Sequence, residues 1–140
     1  MVRGHLAAEL TCVMRPTTLQ ALSVVRPWGG KIATGEKSIE VRRWAPPMLP
    51  LNNLLIVENG RRLKPGARDA DGRAVAVVTI SSVRDWTPDL AEAACSQWEP
   101  GRLAWMITDV KPIERPFVVV AAREIYSIEV DSTRLPAGVS

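Results

Sequence analysis

Residues Leu22 to Trp44 read LSVVRPWGGKIATGEKSIEVRRW, and their periodicity changes twice. The stretch opens as the end of an apolar run, Leu19 to Val25, with strand character. Pro27 then suits the start of a helix, where a missing N–H costs nothing, and Gly35 suits a helix stop. Trp28 to Thr34 is therefore predicted to be a short helix, weakened by Gly29 and Gly30. From Lys37 to Trp44 apolar and polar residues alternate. That period sends Ile39 and Val41 into a core and places Ser38, Glu40 and Arg42 together on the opposite face.

The same reading extends downstream. A proline-rich loop, Ala45 to Pro50, leads into a branched apolar strand, Asn53 to Glu58, and a polar stretch from Asn59 to Gly72 follows, so that the five cations from Arg61 to Arg73 are expected to hang on a loop. Ala74 to Val83 is dense in β-branched residues and is the strongest strand signal in the chain. Pro88 opens a second predicted helix, Asp89 to Trp98, on the spacing of Leu90, Ala93, Ala94 and Gln97. Leu103 to Val110 is a strand, Pro112 to Pro116 a turn, and Phe117 to Ala122 and Ile125 to Val130 two closing strands. Asp131 to Ser140 is expected to trail as a loose tail. Six or seven short strands and two helices, without internal repeats, predict a mainly β domain with short α-helices (α+β). A small barrel fits better than a doubly wound sheet, because helices do not alternate regularly with the strands.

With 140 residues, 46% hydrophobic and 24% charged, the chain fits one globular domain and gives no ground for disorder or a coiled coil. No apolar run reaches the roughly 18 residues of a membrane span. Cys12 and Cys95 are too few and too far apart for a disulfide framework or a metal cluster. His5, the single histidine, lies near the N-terminus, which argues against His-based metal sites and Ser-His-Asp triads. No metal or organic cofactor is expected. Sparse cysteines and the absence of a signal-like apolar core imply cytoplasmic residence. Residues 1–17 are expected to be a mobile extension, with Met14 immediately before the fold-like sequence.

The formal charge of +3 is small, but its distribution is uneven. Residues 26–43 carry five basic and two acidic side chains, and residues 61–73 repeat that count, so the remainder of the chain is net acidic. Two cationic stretches on an acidic background suit a surface that meets a polyanion, although two solvated loops would look the same. Lys37 falls at the junction of helix end and strand start. Its flexible stem can reach over a barrel mouth while Glu40 and Arg42 project from one strand face, able to form a charge pair or to grip a polar ligand together. Trp28 and Trp44 flank this group. Either could be a stacking platform for a base, and Trp28 could instead cover one end of the barrel. Trp105, between apolar neighbours, belongs in the core.

These residues carry a family resemblance. An LS-x-x-x-PW segment, a short helix, then Gly35, Lys37, Glu40 and Arg42 in a G-x-K-x-x-E-x-R pattern followed by Trp44, resembles the ASCH domain. Leu54 to Val57 is similar to the family's next strand, and LAWMITDVKP at 103–112 to the strand before its last hairpin. The resemblance covers roughly 18–130. It implies a PUA-like small β-barrel of about six strands flanked by two or so helices, a fold allied to RNA-associated domains. The family includes RNA-binding proteins, ribonucleases and an amidohydrolase acting on acetylated cytidine.

Two function classes follow. As a binding module, the domain would hold RNA, another nucleic acid or a nucleoside or nucleotide in a cationic cleft at the barrel mouth. Lys37, Glu40, Arg42, Trp28, Trp44, Arg26, Arg61 and Arg62 would line that cleft, and Lys64, Arg68 and Arg73 would track phosphates along its flank. As a metal-independent hydrolase, a ribonuclease or an N4-acetylcytidine amidohydrolase, it would use Lys37 and Glu40 as catalytic groups. The amidohydrolase resemblance is partial: Glu40 stands where that subfamily has a threonine, and its distant glutamate has only Glu92 as a loose counterpart. The domain is not expected to bind a membrane.

Overall fold

The computed structural model describes residues 15–139. His5, Cys12 and the boundary at Met14 lie outside the described residues, as does most of the extension expected over 1–17. Where the description begins, the chain is already in the sheet. Strand β1 spans Pro16–Val25, because Thr17 and Thr18 find partners in Val130 and Glu129.

Helix α1 (Trp28–Thr34) follows, ended by Gly35 at φ 84°. Then come β2 (Ile39–Arg42), β3 (Leu51–Asn59) and β4 (Arg68–Asp85). A 3-10 turn at Pro88–Leu90 runs into α2 (Ala91–Ala94). β5 (Leu103–Ala122), β6 (Ile125–Asp131) and a last 3-10 turn, Ser132–Arg134, complete the order. All six strands join one sheet in the order β2-β5-β4-β3-β1-β6. β1 and β3 run parallel and the other pairs antiparallel. A parallel pair needs a crossover, and here α1, β2 and the proline loop supply it.

The middle of the sheet is buried on both faces. Leu55 and Val57 of β3 pack on one side with Phe117, Val130 and Val139, while Leu54 and Ile56 pack on the other with Leu22, Ile32, Trp105 and Ile107. This explains why β3 reads as a continuous apolar run rather than an alternation. The sheet curls until strands that share no ladder meet. The Ala122 N–H at the end of β5 donates to Ser23 Oγ of β1 at 3.1 Å, and the Tyr126 hydroxyl donates to the Val120 carbonyl at 2.8 Å. The result is a mostly β, incomplete barrel with two short helices, as expected. No helix is long and apolar enough to cross a membrane.

Four expectations need correction. The two strands expected at 103–110 and 117–122 are one strand, because Ile113–Pro116 project from the ladder between the pairs Ala76–Pro112 and Ala74–Phe117. Prolines sit in a sheet where no ladder N–H is needed, and this bulge is such a place. The helix expected over 89–98 ends after Ala94, because Cys95 turns left-handed at φ 56° and its N–H closes on the Ala91 and Glu92 carbonyls. Arg68 and Arg73, expected on a loop, lie on β4. The tail expected at 131–140 is held down: Asp131 accepts from the Thr133 N–H, and Val139 is 6% exposed within the core.

Candidate functional site

The junction between β1 and α1 is built around small residues. Arg26 donates its N–H to the Asn59 carbonyl at 2.8 Å, extending the β1–β3 pairing by one bond. The next turn presses α1 onto β3. A Cβ on Gly29 would stand 2.9 Å from Glu58 Cβ, so only glycine allows this approach. Glu58 Oε2 then accepts the Gly30 N–H at 2.9 Å, filling the role of the missing side-chain cap. Ile32 is driven into the core from the same helix.

Beyond α1 the motif residues converge. The Lys37 N–H donates to the Lys31 carbonyl, which fixes the turn. Lys37 Nζ donates to the Ala94 carbonyl of α2 at 2.6 Å and lies 3.6 Å from Glu40 Oε1. The other oxygen of Glu40 accepts from Arg42 Nε at 2.7 Å, and Arg42 Nη2 reaches the Ser23 carbonyl of β1 at 3.1 Å. One continuous polar chain therefore ties α2 to β2 and β2 to β1. Among the described residues no buried side-chain polar atom is left without a partner, as a polar network in a low-dielectric interior requires.

Strand pairing settles which way the motif faces. Glu40 lies opposite Trp105 and Arg42 opposite Leu103, so both project toward the main core that contains Trp105. Ile39 and Val41 turn to the other side, into a smaller cluster with Trp86, Ala94 and Ala104. The alternation was correctly expected, but both faces are covered. Lys37 and Glu40 are only 6% and 7% exposed, so the motif is an interior network where an open cationic cleft was expected.

The remaining sequence-derived candidates divide into two groups. Trp44 stands edge-on to Trp105, 4.9 Å between centroids and 84° between planes. Its carbonyl accepts the Trp105 Nε1–H at 2.9 Å, so it packs against the core as a half-buried wall. Trp28 is 37% exposed, and Arg26, Arg61 and Arg62 are exposed as well. Arg26 Nη1 comes within 3.8 Å of the space above Gly60, and the Asn59 side chain donates to the Arg61 carbonyl. The β1–α1 junction and the start of the loop after β3 thus form one cationic end. None of Arg26, Arg61 and Arg62 pairs with a carboxylate among the described residues. Lys31, by contrast, is held by Glu36 at 2.7 Å. That hydrogen bond, with the Glu36 charge, raises its pKa.

Three contributors were not singled out from the sequence. Ser23 receives the Arg42 guanidinium at its carbonyl and the Ala122 N–H at its hydroxyl, and that hydroxyl meets Tyr126 OH at 3.1 Å. Burial raises the Tyr126 pKa, outweighing the hydrogen bond from Ser23. Glu58 and the buried Asn59 complete the set. The available signal was a polar pair, Glu58-Asn59, closing an apolar strand. Among the described residues no group of His, Cys, Asp and Glu side chains gathers to hold a metal ion.

The ASCH domain family model matches residues 22–117. Among solved structures the fold is similar to the crystal structure of ASCH from Zymomonas mobilis, with a TM-score of 0.50 and 17% identity over 70% of this chain and 71% of that one. A mutant form of the Zymomonas mobilis protein aligns with a TM-score of 0.45, also at 17% identity, over 70% of this chain and 73% of that one. No curated protein matches the chain.

Proposed function

We propose a function from one premise: the chain belongs to the ASCH domain family. That membership supports a general RNA-binding or hydrolase-type role. Within it, we assign the chain to binding single-stranded RNA at the cationic end of the barrel. The observation that carries this reading is the grouping of exposed Arg26, Arg61 and Arg62, without carboxylate partners among the described residues, at the same end as the exposed Trp28. Guanidinium groups suit phosphates, and an exposed indole offers a face on which an unpaired base stacks. In this reading Lys37, Glu40 and Arg42 hold α2, β2 and β1 in place behind the surface instead of touching RNA.

The hydrolase reading has less support. Lys37 Nζ donates to the Ala94 carbonyl and Glu40 accepts from Arg42, and both side chains are buried, which leaves a substrate little access to either. Fluorescence anisotropy with a labelled single-stranded RNA separates the two readings. Reversing Arg61→Glu and Arg62→Glu together is expected to weaken binding by about tenfold or more. Log affinity should fall against log salt with a slope of about −2, for three phosphate contacts at roughly 0.7 each. Affinity indifferent to both salt and charge reversal sinks the proposal. Cleavage of the RNA that disappears in Lys37→Ala transfers the assignment to the hydrolase.

A further inference from the structure

A groove of about 780 Å³ lies far along the chain from the motif, between the projecting turn of β5 and the segment after β6. Arg115 and Arg134 stand in its lining with Glu114, and Pro116, Leu135 and Pro136 contribute apolar walls. Its volume falls within the roughly 300–1,000 Å³ of small-ligand sites. The two guanidinium groups have no ion-pair partner among the described residues. Arg134 is nonetheless not loose, because its guanidinium carbon lies 5.5 Å from the Phe117 ring centroid, a cation–π placement that restricts the side chain.

The walls are equally constrained. Proline has few conformations to lose, so little ordering entropy opposes a ligand that enters between proline walls. The turn bearing Thr133 and Arg134 is fixed by Asp131, whose carboxylate accepts both the N–H of Thr133 at 3.0 Å and its hydroxyl at 2.8 Å. Those bonds, with a smaller contribution from Arg134, hold the Asp131 pKa below its ordinary value. Asp131 thus remains an acceptor bound to its own turn.

We infer that this groove binds a phosphate monoester of nucleotide size. Arg115 and Arg134 present donor forks to the phosphate oxygens. The proline and leucine faces cover the base, and Glu114 accepts from ribose hydroxyls or a base amino group. Neither a neutral nucleoside nor bare phosphate uses all three parts of the lining. The group has two natural sources, a free mononucleotide and the phosphorylated end of an RNA strand.

Isothermal titration of the full chain with AMP, adenosine and inorganic phosphate tests the assignment. AMP is expected to bind saturably and at least about tenfold more tightly than either of the others. Arg134→Lys keeps the charge but loses the fork, and should weaken AMP about tenfold. Arg115→Gln, at an exposed position, should do the same without disturbing the fold. Arg84→Gln, an exposed arginine on β4 outside the groove, should leave AMP affinity unchanged. Competition by a 5′-phosphorylated trinucleotide assigns the site to strand ends, and its failure assigns it to free nucleotides. No saturable AMP binding, equal affinity for adenosine or phosphate, or indifference to both Arg115→Gln and Arg134→Lys overturns the inference.

Discussion

Glu40 is the residue on which the interior charges depend, because Lys37 and Arg42 both point at it. Removing one member of a buried charge network strands the others, and that typically costs about 3–5 kcal/mol. Glu40→Ala should therefore lower the unfolding free energy by about that amount in urea titrations, and a variant as stable as the parent would show the network to be dispensable. Gly29→Ala tests packing instead of charge. Its new methyl group meets Glu58 Cβ at 2.9 Å, and forced overpacking costs about 1–3 kcal/mol. Tyr126 gives a pH test. Its folded pKa lies above the usual 10.0, so its contribution to stability is complete below that pH and is lost as pH rises past it. As the only tyrosine in the chain, it can be followed by phenolate absorbance. A folded-state midpoint at or below 10.0 would contradict its burial. The spacing of Glu40 and Arg42 was enough to group them, since residues two apart on a strand share a face, and Lys37 joined them from the junction before β2 through its long stem. Their burial was not legible, because alternation says that two faces differ without saying that α2 and the curled sheet cover both.

Elements were readable where local chemistry decides them. Pro27 and Gly35 bracket α1 because a missing N–H and a positive φ are properties of those residues themselves. α2 failed for the opposite reason: nothing in a cysteine announces a left-handed conformation, and the apolar spacing of residues 90–97 continues past the turn that ends the helix. In β5, Pro112 and Pro116 read as punctuation, yet the bulge accommodates both and the strand resumes at Phe117. The segment after β6 was misread because its glycine, proline and polar residues suit a loose end, while the apolar residues that anchor it, Leu135 and Val139, carry no periodicity. Val139→Ala removes two buried carbon atoms, which predicts a loss of about 1–2 kcal/mol at roughly 0.8 kcal/mol each. Thermal unfolding of that variant at the parent's midpoint would show instead that the segment contributes nothing to the core.

At the scale of the whole molecule, the uneven charge read from the sequence takes on a different meaning. The +3 stretch at 26–43 is split by folding: Lys37 and Arg42 go inward to Glu40, and Lys31 pairs with Glu36. Only Arg26 and Arg43 remain exposed and without a carboxylate partner among the described residues. The stretch at 61–73 keeps its cations outside, with Arg61, Arg62, Lys64, Arg68 and Arg73 all exposed. A count along the sequence weighs both stretches equally because it cannot tell a solvated charge from a satisfied one. RNA affinity should accordingly respond far more to charge reversal at Arg61 and Arg62 than to neutralising Lys31, measured at one fixed salt concentration. Because the double reversal removes four units of charge and the neutralisation one, equal sensitivity per unit of charge would mean that net charge alone governs binding.

The ten residues of β1 also set a distance. At about 3.3 Å per residue the strand is roughly 30 Å long. Arg15 lies beside Ser132 at one end, joined by a 2.8 Å backbone bond, and Arg26 lies beside Asn59 at the other. A dye attached at residue 15 itself is held a full strand's length from the cationic surface. A fluorophore placed there should leave RNA affinity unchanged, and a labelled protein that binds more weakly than the unlabelled one would contradict that separation.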